Sequence, residues 1–426
     1  MARRQNKQAR ILADAPTATN IHLADEADNA YAETVDAGHK VDPRIQKTFI
    51  AAVALLCIFA FGLVVPKDLF NQAMHYGGTN AGYSFAWFTE DLLGNVNSLV
   101  AVFTGNDNGP DPYSIRIIRY IVIAVTGAGL ALCGAVYQGS FKNALVSPST
   151  LGVMSGSTLG MMLWVVFLVD DEGSNVAWLD TYVGDADTLS YLWSNYSLAI
   201  CSFVSCLFVV GVVLLVRRLG GKGGRSAIML IICGQVIGSV MGAVSNSIRY
   251  YYVAENPYGV KASLLTDLQI SSFYRSFTWI DLVAILIPLV AVFMLVMMLR
   301  RKMTLLSFTE GEARTMGVNS QRMQTAVVLL CTLLTAILIS FCGVVGFVGF
   351  LVPHLSRRLV GPSLGYLLPC SLLVGACFVL GSYLLVEMTL GPAFETMVGM
   401  YISIGGAIVF LATALRGKGG TRGQFE

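Results

Sequence analysis

Ten runs of apolar residues, each close to the length of a membrane span, constrain this chain more than any other feature. They fall near 49–65, 117–138, 150–169, 193–216, 227–248, 277–299, 325–343, 345–358, 366–386 and 396–415. About 20 apolar residues are needed to cross a hydrocarbon core of roughly 30 Å, and a helix is what satisfies their backbone there. The chain is therefore read as an all-α polytopic membrane protein with about ten transmembrane helices. The eighth run is short and carries Pro353, so its limits are the least defined. Charged residues make up 13% of the 426, about half the roughly 25% of a soluble domain.

The first 47 residues are polar, basic in "MARRQNKQAR" and acidic in "LADEADNAYAETVD". A signal peptide places its apolar region directly after its charges, and here the first apolar run follows only after Lys47. The reading is a disordered cytoplasmic tail over 1–47, a transmembrane domain over 48–416 and a short cytoplasmic tail over 417–426. Arg217, Arg218, Lys222 and Arg225 share one loop, Arg300, Arg301 and Lys302 begin another, and Arg357 and Arg358 a third. Arg416 and Lys418 follow the last span, whereas "VDDEGSNVAWLDTYVGDAD" holds no Lys or Arg. With an even number of spans, this asymmetry puts both termini in the cytoplasm.

Nine cysteines all lie within apolar stretches and read as small apolar residues, not a disulfide framework. The four histidines stand at no metal-ligand spacing, so no metal or cofactor is expected. No Asp, Glu, Lys or Arg lies near the middle of a span; Gln138, Gln235 and Asn246 are the strongest polar groups there. That disfavours an ion-coupled transporter, which needs an ionisable group within the membrane. Gly-, Ala- and Ser-rich stretches such as "TGAGLALCGAVYQG" and "GVMSGSTLG" serve either close helix packing or a smooth pathway wall. Neither "GGKGGRS" nor "RGKGGTRG" has the spacing of a phosphate-cradling loop, so driving energy must come from a partner.

Two segments echo one another. "CGAVYQGSFKNALVSPSTLG" begins in the second run and "CGVVGFVGFLVPHLSRRLVGPSLG" in the seventh. Five spans apart implies opposite orientation, the pattern of an inverted repeat.

Residues 308–318, "FTEGEARTMGV", form a polar island between two apolar runs. Thr309 and Glu312 are spaced as a capping box, and Glu310 and Arg314 as an ion pair one turn apart. Gly311 and Ala313 lie between them, Gly317 supplies a left-handed stop, and Val318 closes it. The local code specifies a helix of about two turns, roughly 10 Å long, suited to seat in a groove of a soluble partner.

At these residues the chain resembles the FecCD-type permeases of ABC importers for iron–siderophore complexes, haem and cobalamin. "GEARTMGV" looks like the coupling segment of that family. "IRIIRYIVIAVTGAGLALCGAVYQGSFKNALVSPSTLGVMSG" resembles its second span and following loop, with Arg116, Arg119, Gln138, Asn143, Pro148 and Gly152 at the motif positions. "GVVGFVGFLVPHLSRRLVG" resembles its Gly-Phe-x-Gly-Leu-x-x-Pro-His segment, with Gly346, Gly349, Pro353 and His354, although Phe350 stands where Leu is usual. The resemblance covers about 110–415.

It implies a permease dimer, homomeric or heteromeric, in the bacterial plasma (inner) membrane. Two cytoplasmic ABC ATPases would dock below and an extracytoplasmic substrate-binding protein outside, with lipid around and no nucleic acid involved. The chain would be no enzyme; hydrolysis would belong to the ATPases. Thr309, Glu310, Gly311, Glu312, Ala313, Arg314 and Gly317 would form the coupling helix, and Arg116 and Arg119 would dock the binding protein. Glu387 or Met388 stands where the family often has a further outer arginine, so one docking contact is lost or moved. "ETMVG" keeps Glu395 and Gly399 of the family's Glu-Leu-Pro-x-Gly but not the proline. The expected cargo is an iron chelate, a ferric siderophore first, with haem or cobalamin as alternatives. A secondary transporter and a non-transporting scaffold or sensor are the rivals of other classes.

Overall fold

Long apolar sequences with start and stop signals at their ends give helices, and helices are what the chain forms. The computed structural model describes residues 43–64, 112–141, 143, 146–170, 188–219, 227–270, 273, 277–307, 315–317, 319–390 and 397–416. Both polar tails, up to residue 42 and from 417 onwards, lie outside the described residues.

Eleven α-helices appear among the described residues: α1 (Pro43–Val64), α2 (Pro112–Phe141), α3 (Val153–Leu168), α4 (Thr188–Leu219), α5 (Ala227–Glu255) and α6 (Val260–Ile270). They continue with α7 (Trp279–Thr304), α8 (Ser320–Cys342), α9 (Val348–Val360), α10 (Leu364–Leu390) and α11 (Val398–Arg416). Seven of these are long and apolar enough to cross a membrane, and α3 and α11 contain shorter apolar stretches. Each of the ten apolar runs thus falls on a helix. The additional helix, α6, lies in what the sequence left as a loop, because its 11 residues are too short and too polar to read as a span.

Termini follow local chemistry. Pro43 and Pro112 open α1 and α2, where a missing N–H costs nothing. Thr278 caps α7 through a reciprocal pair: the Asp281 amide donates to Thr278 Oγ1 at 3.3 Å, and the Thr278 amide to Asp281 Oδ2 at 2.8 Å. Asn319 caps α8, its Oδ1 accepting from the Arg322 amide at 3.1 Å. Pro353 does not break its helix; α9 runs through it from Val348 to Val360.

α2 is the core of the bundle. Tyr120, Val122, Ile123, Ala131, Leu132, Cys133, Ala135, Val136 and Tyr137 are fully buried, and the helix packs on α7, α8, α9 and, most extensively, α10. Within lipid, apolar burial does little to bring helices together, so close packing and hydrogen bonds do it instead. At the α2–α10 crossing a Cβ on Gly127 would lie 2.4 Å from the Gly375 carbonyl oxygen, so only glycine allows that approach. Across α2 and α8, Thr126 Oγ1 meets Cys342 Sγ at 3.0 Å and Tyr137 Oη meets Thr332 Oγ1 at 2.7 Å. α6 packs on α3: Leu264, Leu265 and Leu268 lie with Met161, Met162, Trp164 and Val165.

Candidate functional site

The two echoing segments meet. Between α2 and α3 the chain makes a 3-10 turn, Pro148–Leu151, with Pro148 buried at its start. Thr150 Oγ1 donates to the Ser147 carbonyl at 2.7 Å and accepts from the Ser147 amide at 3.3 Å, which locks the turn from within. Gly152 then takes φ of 74°, the left-handed conformation that lets α3 leave at a new angle. Asn143 sits half-buried in the descent from α2, its amide donating to the Gln138 carbonyl at 3.3 Å.

The second segment enters against this turn. Gly343 ends α8 at φ 74°, and Phe347 turns the chain at φ 68°, rare for a residue with a side chain. α9 then starts with Gly349 wedged between α2 and the 3-10 turn. A Cβ on Gly349 would lie 2.8 Å from Pro148 Cδ and 3.1 Å from the Leu130 carbonyl oxygen. A Cβ on Gly134 would lie 1.8 Å from the Gly349 carbonyl oxygen, so no larger residue fits.

Pro353 explains that geometry. It stands four residues after Gly349 and has no N–H, so the Gly349 carbonyl loses its helical partner. That oxygen is the atom facing Gly134, where a Cα–H contact of the kind seen between close helices can take its place. Beside it, Gln138 Nε2 donates to the Phe350 carbonyl at 3.1 Å, again across α2 and α9. The departure at Phe350 is accommodated by aromatic packing: its ring meets Phe347 at 5.4 Å and Phe410 of α11 at 4.7 Å. His354 lies half-buried with its ring 6.1 Å from Phe410. No group of His, Cys, Asp or Glu among the described residues could hold a metal ion.

The structure thus brings Gln138, Pro148, Gly349 and Pro353 into one junction, with Gly152 on its α5 side. A Cβ on Gly152 would lie 2.9 Å from the Gly234 carbonyl oxygen, so α5 is drawn against the turn. Gly346 faces α11 instead, where a Cβ would lie 2.6 Å from Ser403 Oγ. The small residues in "TGAGLALCGAVYQG" and "GVMSGSTLG" are mostly buried here and pack helix on helix.

α5 supplies what sequence reasoning noticed but did not place. Its face away from the junction exposes Gln235, Ser239 and Asn246, spaced four and seven residues apart with Gly242 between, so they form one stripe along the helix. Asn246 Oδ1 accepts from Gln269 Nε2 of α6, and Tyr250 and Tyr251 continue the exposed face. Lipid offers such groups no hydrogen bond. Gln235 and Asn246 are polar groups that the sequence places within a span, and their spacing is the signal that they share a stripe.

The remaining predicted residues are dispersed. Thr309, Glu310, Gly311, Glu312, Ala313 and Arg314 lie outside the described residues, as does Val318. Of that segment Gly317 is described: it is exposed, with φ of 80°, the left-handed stop its sequence position requires. Arg116 lies in α2, and its side chain is outside the described set, as is Glu395. Arg119 is half-buried, its Nη1 reaching the Tyr383 hydroxyl of α10 at 3.5 Å. Glu387 is 1% exposed, and Tyr120 Oη donates to its Oε2 at 2.9 Å. It is therefore an interior group and not part of an outer rim.

Comparison with known proteins places this architecture. The chain is 31% identical to the molybdate import system permease protein of Haemophilus influenzae over 63% of this chain and 70% of that one. It is 30% identical to the Fe(3+)-citrate import system permease protein of Bacillus subtilis, over 70% of this chain and 79% of the relative. With the hemin transport system permease protein of Yersinia pestis it shares 28% identity, over 71% and 82%. Its fold matches a solved metal-chelate type ABC transporter in an inward-facing conformation, with a TM-score of 0.65 over 87% of this chain and 99% of that one, at 24% identity. The profile of the FecCD transport family matches residues 88–416, more than three-quarters of the chain. A multi-span helical protein built on these motifs, the chain belongs to the FecCD transport family of ABC importer permeases.

Proposed function

We propose that this permease moves a ferric siderophore inward across the bacterial plasma membrane, along a wall formed by the exposed stripe of α5. The observation that carries the reading is the stripe itself: neutral hydrogen-bonding groups at Gln235, Ser239 and Asn246 on the open face of an apolar helix. Neutral amides and hydroxyls suit a bulky chelate with many donors and acceptors, which can exchange one weak partner for the next. A small bare oxyanion would call for cations along the wall; the stripe has none between Gln235 and Asn246, and Arg249 stands only at its far end. Relatives named for iron chelates, Fe(3+)-citrate and hemin support the cargo class, while the molybdate relative marks the alternative.

In this reading the basic loops and both termini face the cytoplasm, and α6 with the start of α2 faces outward. A second permease subunit supplies the opposite wall. A substrate-binding protein delivers the cargo, and a pair of separate ATPases engages 309–317 and drives alternation between outward and inward access. An ion-coupled mechanism is disfavoured because the mid-span positions carry no ionisable side chain.

The test is uptake in cells deleted for this gene, supplied in parallel with labelled ferric siderophores, haem, cobalamin and molybdate. Loss of ferric siderophore uptake is expected, restored by the wild-type gene and not by Glu312→Arg. Loss confined to another cargo overturns the siderophore assignment, and full rescue by Glu312→Arg overturns the coupling role.

A further inference from the structure

Glu387 is a buried carboxylate near the outer end of a span, and its neighbourhood is specific. Tyr120 donates to its Oε2 at 2.9 Å, and the preceding residue of α2, Arg119, reaches Tyr383 at 3.5 Å. Tyr383 and Glu387 stand four apart on α10, one turn, and so present their side chains on one face about 6 Å apart. Two neighbouring residues of α2 therefore engage two neighbouring positions of α10. The four side chains are walled by rings: Tyr120 and Tyr383 meet edge to face at 5.9 Å, Phe59 packs on Tyr120 at 6.3 Å, and Phe273 on Tyr383 at 6.4 Å. Phe273 is itself pinned, with φ of 57° and its amide donating to the Cys342 carbonyl at 2.7 Å. A carboxylate in such surroundings is strongly disfavoured unless an opposite charge faces it.

We propose that Arg119 and Glu387 are an internal ion pair that ties α2 to α10, with Tyr120 and Tyr383 as its hydrogen-bonding partners. The pair stands independently of the cargo assigned above. It also changes what the resemblance implied: Arg119 is turned into the bundle and neutralised there, so it is withdrawn from the surface that receives a binding protein. Glu387 is the reason, because it supplies the countercharge from within the same chain.

A charge cycle on the full chain tests this, reading membrane abundance and melting temperature in detergent for R119Q, E387Q and R119Q/E387Q. Each single variant strands one charge, the buried Glu387 or the half-buried Arg119, and a fall of about threefold or more in abundance is expected. The double variant removes both charges and is expected to exceed both single variants in abundance and melting temperature. Single variants indistinguishable from wild type, or a double variant no better than the poorer single one, overturn the pair. The withdrawal of Arg119 is read separately, by labelling purified R119C/E387Q with a membrane-impermeant maleimide. Labelling at the background of the native cysteines is expected, and labelling clearly above it overturns the buried placement.

Discussion

Gln138 of α2 and Gln235 of α5 carry the same side chain within apolar helices of similar length, yet the fold treats them oppositely. Gln138 is 2% exposed and holds the Phe350 carbonyl across to α9. Gln235 is exposed on a helix whose other face is pressed against the 3-10 turn. One amide joins two helices; the other faces open space alongside Ser239 and Asn246. The difference teaches that a polar residue within a span can tie two helices together or form part of an exposed face, and that burial decides which.

The comparison breaks most forcefully at the junction. Gly134→Ala puts a Cβ 1.8 Å from backbone oxygen, which neither α2 nor α9 can yield without moving. We expect a loss of about 3 kcal/mol or more, at the upper end of overpacking, seen as near-absence of the protein from purified membranes. Gln138→Leu keeps the volume but removes the amide from Phe350, an expected loss of about 1 to 2 kcal/mol, measurable as a lower melting temperature in detergent.

The open face is expected to respond the other way. Gln235→Leu changes stability by no more than about 0.5 kcal/mol, but uptake per molecule of permease falls several-fold if the stripe is the wall. Unchanged uptake with unchanged melting temperature would remove α5 from the pathway.

The smallest effect lies at Asp267 of α6, where partial desolvation raises the carboxyl above its usual range. A raised carboxyl favours the folded protein while protonated, and that contribution is lost as pH rises through its folded value. Relative to Asp267→Asn, the wild type is therefore expected to lose melting temperature from the ordinary aspartate range upward. The comparison is read in parallel thermal scans from about pH 3.5 to 7.

How much was legible beforehand follows the range of the forces involved. The spans and the stop at Gly317 depend on residues within a few positions of one another. α6 escaped notice because its apolar residues, Leu264, Leu265 and Leu268, are too few to signal a span and gain their meaning from Met161 and Trp164 of α3. Pro353 read as an interruption, yet α9 runs straight through it, and the carbonyl it frees is turned toward Gly134. Glu387 read as a lost outer contact, yet Tyr120, 267 positions earlier, draws it inward.

The sequence by itself determined that this is a multi-span helical protein and which motifs it carries, because backbone satisfaction in lipid leaves a chain of apolar runs no other solution. Only the tertiary structure decided that the two echoing segments pack as one junction, that Arg119 and Glu387 lie within the bundle, and that α5 shows a polar face. Those outcomes depend on which helix lies against which, and in lipid that choice is made by close packing and hydrogen bonds between residues far apart in the chain.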